Sequence, residues 1–103
     1  MKLGNIGVLD RAGQDLMRAA AYIDEHGWCQ HALATNAGAV CMVGALNSVG
    51  ASREAWFRIQ KHLGVSLPSG IDGWPIAHFN DAETTTKEAV LDKLITAALS
   101  EER

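Results

Sequence analysis

The chain is 103 residues long, 48% hydrophobic and 20% charged, the make-up of one ordinary globular domain that buries enough surface to need neither a disulfide nor a metal for stability. Nine Lys and Arg against twelve Asp and Glu give a formal charge of −3, and the basic residues are scattered, so the basic face that a nucleic-acid binder turns toward phosphates is not expected. No apolar run approaches the ~18 residues that span a bilayer, and the start of the chain lacks the apolar core of a secretory signal; the expectation is a cytoplasmic protein with both cysteines reduced.

Residues 10–26 predict the first helix, with Asp10 as N-cap, an apolar stripe of Ala12, Leu16, Ala19, Ala20 and Ile23, and Gly27 as the left-handed residue that ends it. Residues 28–34 read as a short extended run that would place Cys29, His31 and Leu33 on one side and Trp28, Gln30, Ala32 and Ala34 on the other. Thr35-Asn36-Ala37-Gly38 is a turn signal, so 28–36 is an extended or hairpin segment. A second helix is predicted from Ala39 to Asn47; its small residues Gly44 and Ala45 give up helix propensity for close approach, which suggests a central, buried element.

Ser52 caps a third helix running to Leu63, with core positions Ala55, Trp56, Ile59 and Leu63 and a stop at Gly64. Residues 65–84 hold both prolines together with Gly70 and Gly73, and form the longest irregular connection, with one helical turn at Ile76 to Phe79. Thr85 and Glu88 make a capping box for the final helix, whose stripe is Leu91, Leu94, Ile95 and Ala98. The expected fold is mainly α: a single domain over 1–103 with about four helices and an ordered core of about 10–99.

Side chains that carry chemistry crowd into the first half. His26, Cys29, His31 and Cys41 are nitrogen and sulfur ligands close in sequence, but H-x2-C-x-H-x9-C matches no zinc framework, so no metal and no cofactor is assigned. Cys41 lies near a predicted helix N-terminus, where unpaired amides favour a thiolate. With His78 as base and Asp81 or Asn80 to orient it, it gives the logic of a thiol hydrolase. The plainer reading makes Cys41 a packed thiol on a buried helix, and has Asn80 and Asp81 bond nearby backbone amides where the chain turns into the final helix. Trp28, Trp56 and Trp74 supply core area with their indole N–H groups paired. Trp74, beside Pro75 in a glycine-rich loop, is also a natural anchor for a partner.

His26-Gly27-Trp28-Cys29-Gln30, then Cys41-Met42-Val43-Gly44-Ala45-Leu46, then Phe79-Asn80-Asp81, between an opening and a closing helix, resemble a family of small actinobacterial and phage domains of unknown function. That family has the pattern G-W-C/T-Q-G-A, C-A-x-G-A-L, W-N-D, and the resemblance covers roughly residues 14 to 99. It marks Trp28, Gln30, Cys41, Gly44, Ala45, Asn80 and Asp81. The chain departs from it at His31, where the family has Gly, at Phe79, where it has Trp, and in a short stretch between Ala34 and Cys41. The accepted Thr at the Cys29 position argues against Cys29 as a zinc ligand, and His78 lies outside the pattern. Gln30, Asn80 and Asp81 are left to converge on a ligand or on each other.

Two functional readings stand. The first is a non-enzymatic accessory or regulatory domain of phage or bacterial origin that binds another protein through Trp28, Gln30, Trp74 and Asn80, with self-association open and neither nucleic acid nor membrane as partner. The second is a cysteine-dependent hydrolase or transferase built on Cys41, His78 and Asp81 or Asn80.

Overall fold

A computed structural model describes residues 9–63 and 74–100, through which run five helices: α1 (Arg11–His26), α2 (Met42–Ser48), α3 (Arg53–His62), α4 (Trp74–Asp81) and α5 (Lys87–Leu99). The architecture is mainly α, as the periodicity predicts. The expectations for Gly64, Gly70 and Gly73 fall outside the described residues, and Trp74 is described at its backbone only, as the first residue of α4.

Helix α1 begins as expected, the Asp10 carboxylate accepting the amide of Gly13 at 2.9 Å. All five residues of its predicted stripe are fully buried. It packs most extensively on α5, and also on α2 and α3, so it is the element around which the core is laid. Gly27 closes it at φ 102°, ψ 161°, a conformation reserved for glycine that throws the chain outward instead of curling it into the left-handed turn expected. Helix α3 has the predicted Ser52 cap, which accepts the Ala55 amide at 3.3 Å, and buries Ala55, Trp56 and Ile59. Its last residue is His62, with Leu63 as C-cap.

Three boundaries need correction. Helix α2 starts at Met42 and not at Ala39, because Val40 is held in extended backbone pairing and Cys41 is the N-cap; a thiol is an unusual cap, so the ordinary start signal is missing. Helix α4 is a full eight residues where a single turn was expected. Helix α5 is capped by Thr86, whose hydroxyl accepts the Ala89 amide at 3.1 Å, while Thr85 donates instead to the carbonyl of Phe79 at 2.8 Å. Packed on α1 and α3, it buries Val90, Leu94, Ala97 and Ala98, while Leu91 and Ile95 of the expected stripe lie at the edge.

The segment after α1 is not a strand. Among the described residues extended pairing consists of two isolated bridges, Trp28 with Val40 in parallel and Ala34 with Val40 antiparallel. Val40 is gripped from both sides: its amide donates to Gly27 O at 2.9 Å, its carbonyl accepts from Cys29 N at 3.0 Å, and Cys41 N donates to Leu33 O at 3.1 Å. His31, at φ 64°, breaks the alternation expected of 28–34. The turn over Thr35 to Gly38 is present, closed by Gly38 N donating to Thr35 O at 3.0 Å.

Candidate functional site

The motif residues meet where the loop between α1 and α2 crosses the C-terminal end of α4. Asn80 is the hub. Its side chain is fully buried, and every hydrogen-bonding position on it is used. Oδ1 accepts from Trp28 Nε1 at 2.7 Å and from the Met42 amide at 3.1 Å; Nδ2 donates to Cys29 O at 3.0 Å and to Asp81 Oδ1 at 2.9 Å. One side chain thereby fixes the start of the loop, the first residue of α2 and its own helix end.

Gln30 and Asp81 complete the joint. Gln30 Nε2 donates to the carbonyls of Asn80 and Ala82, each at 3.0 Å, satisfying acceptors that a helix C-terminus leaves orphaned. Asp81 Oδ1 accepts the His31 amide at 2.8 Å, which explains how a non-glycine residue is held at positive φ. Burial alone would raise the Asp81 pKa, but the His31 amide, the Asn80 amide group and the His31 ring together hold it below the usual carboxylate value. Gln30, Asn80 and Asp81 thus converge on one another and on the loop. The expectation that Asn80 and Asp81 bond neighbouring amides at the turn into the last helix is corrected: apart from the Asn80–Asp81 bond, the partners of their side chains lie 38 to 52 residues away along the chain.

Cys41 is 4% exposed, and its sulfur accepts the Gly44 amide at 3.3 Å. Gly44 is needed because a methyl group there would collide with the carbonyl oxygen of Leu33, the same oxygen that Cys41 N bonds. Cys29 is partly buried, its S–H directed at Ala32 O (3.4 Å) and Ala39 O (3.7 Å). Burial pushes its thiol pKa up, with Cys41 and Asp81 adding to the rise.

His78 is exposed and lines an open depression of about 300 Å³ together with Ala77, Asp81 and Ala82; Cys41 is not among its described lining residues. The His31 ring reaches the Asp81 carboxylate, Nδ1 to Oδ2 3.9 Å. Among the described residues no three His, Cys, Asp or Glu side chains group as metal ligands, so His26, Cys29, His31 and Cys41 do not form the tetrahedral set weighed from their spacing. His26 instead stacks on Tyr22, ring centroids 4.1 Å apart.

A second polar knot was missed. Asp15, fully buried on α1, accepts from Arg11 Nε (3.1 Å), Arg18 (3.1 Å) and the Ser52 amide (2.8 Å). The available signal was its position: Asp15 lies within the apolar stripe, three residues from Ala12 and four from Ala19.

Comparison with curated proteins and with solved structures finds no match. The joint made by Trp28, Gln30, Asn80 and Asp81 lies wholly inside the segment that a family model recognises, residues 8–99, and the chain belongs to that family, a family of unknown function, DUF6197.

Proposed function

We propose that this is a non-enzymatic accessory domain of bacterial or phage origin, working in the cytoplasm, that binds another protein through the loop between α1 and α2. What supports the reading is the contrast between the tip and the base of that loop. Every residue from His31 to Ala37 is exposed, Leu33 by 59%, while Trp28, Gln30, Asn80 and Asp81 tie down the base. A loop already held in one conformation loses little entropy on binding, so its contacts appear as affinity. Ala32, Leu33 and Ala34 make the tip small and apolar, suited to a partner with a shallow apolar recess.

A photo-crosslinker at residue 33 would capture the partner, and titration of the purified pair would measure affinity. Leu33→Asp is expected to weaken binding by about tenfold or more with the helical circular dichroism unchanged. Unchanged affinity would remove the loop as the contact surface. Trp74→Ala in the same titration tests the second anchor expected from the sequence, and sedimentation of the chain alone tests a second copy as the partner.

The alternative is a cysteine-dependent hydrolase or transferase using Cys41 with His78 and Asp81 or Asn80. In its favour His78 and Asp81 share one depression; against it, the Cys41 sulfur is buried and engaged by the Gly44 amide. It requires Cys41 in the folded protein to be alkylated far faster than Cys29, and slow labelling of both removes it.

A further inference from the structure

The two cysteines occupy consecutive register. Trp28 and Val40 form a parallel bridge, sealed by Val40 N to Gly27 O and Cys29 N to Val40 O. The next position on each segment is Cys29 on one and Cys41 on the other. Paired segments run about 4.8 Å apart, and a disulfide needs its Cα atoms about 4.4–6.8 Å apart. By the alternation of extended backbone the two residues share the face opposite Trp28 and Val40. The added rise that the Cys41 sulfur causes in the Cys29 pKa fits two sulfurs within electrostatic reach.

We propose that Cys29 and Cys41 form a reversible intramolecular disulfide that clasps the base of the exposed loop. Cys29, the more accessible sulfur, is the attacking group. As thiolate it attacks an oxidised low-molecular-weight disulfide, releases one thiol and is left as a mixed disulfide. The Cys41 sulfur gives its proton to solvent, attacks Cys29 Sγ and expels the second thiol. Two protein thiols are oxidised and one small disulfide is reduced to two thiols. The hydrogen donated by Cys29 to Ala32 O and Ala39 O disappears in the product, a small loss because S–H is a weak donor. The ring so closed contains all of residues 30–40, including the tip at Leu33. The disulfide follows from the placement of the two cysteines beside the Trp28–Val40 bridge and is independent of what the loop binds.

The test is to equilibrate the native chain with oxidised and reduced glutathione over a series of ratios, quench with acid and map the peptides without reduction. Expected is the joint loss of both thiols in a monomeric chain lighter by two hydrogen atoms. A single peptide pair linked Cys29 to Cys41 should appear, dithiothreitol should restore both thiols, and the helical circular dichroism should stay intact throughout. In Cys41→Ser the reaction should stop at a glutathione adduct on Cys29. A wild-type chain that keeps this adduct beside a free Cys41, that forms linked dimers, or that makes the bond only in denaturant overturns the proposal. The wild-type map decides the question even if the variant fails to fold.

Discussion

His31 is the one described residue other than glycine at positive φ, where a Cβ crowds the following carbonyl and costs about 1–2 kcal/mol. The strain is local, since its ring is 74% exposed. His31→Gly is therefore expected to hold or raise stability in urea unfolding, whereas His31→Val, which adds a β-branch where a Cβ is already strained, lowers it; the reverse order would show that the side chain, not the backbone, secures this position. It also gives a physical reason for the glycine that the resemblance placed there. Asn80 behaves oppositely, because all its value lies in the side chain. Asn80→Ala leaves the buried Met42 amide without a partner and takes one from the half-buried Trp28 indole N–H and Cys29 carbonyl. At about 1–3 kcal/mol for the buried amide and less for the two groups that water can reach, a loss of about 2 kcal/mol or more is expected by denaturant titration.

Helix α2 shows how an element can be chosen against its own propensity. Gly44→Ala in an isolated helix gains about 1 kcal/mol. Here the added methyl meets the Leu33 carbonyl, backbone that is itself bonded to Cys41 N, and overpacking against such a neighbour costs about 1–3 kcal/mol. Thermal unfolding should therefore show a lower midpoint for Gly44→Ala, and a higher one would mean that the loop yields easily. The helix is short and buried, held by its fit to the loop and to α1 more than by its own hydrogen bonds.

Two carboxylates among the described residues make the whole molecule sensitive to acid. For Asp15, burial alone would raise the pKa, but the Ser52 amide and hydroxyl and the Arg11 guanidinium outweigh it and the folded value lies below the ordinary one; Asp81 is lowered likewise. A depressed folded pKa contributes stability that is present above the unfolded value of about 3.9 and lost as pH falls through the folded value. Unfolding free energy should thus be flat near neutrality and fall below about pH 4. Asp15→Asn should lower stability at pH 7 by about 2–4 kcal/mol and shallow the acid slope; an unchanged slope would place the acid sensitivity elsewhere.

Four of the five helices, the caps Asp10 and Ser52, the buried stripes of α1 and α3 and the turn at Thr35 to Gly38 could be read from the chain alone. All of these rest on neighbours within about four residues, where spacing and side-chain type state the physics directly. The marked residues Trp28, Gln30, Asn80 and Asp81 could be picked out too, but not their purpose. Nothing local says that Asn80 reaches Trp28 across fifty-two residues or that Asp15 meets the amide of Ser52. Those partnerships exist only once α3 has packed on α1 and α4 has met the loop that follows α1. Packing strips water from each polar group, and the group must then take whichever partner the tertiary fold brings within reach.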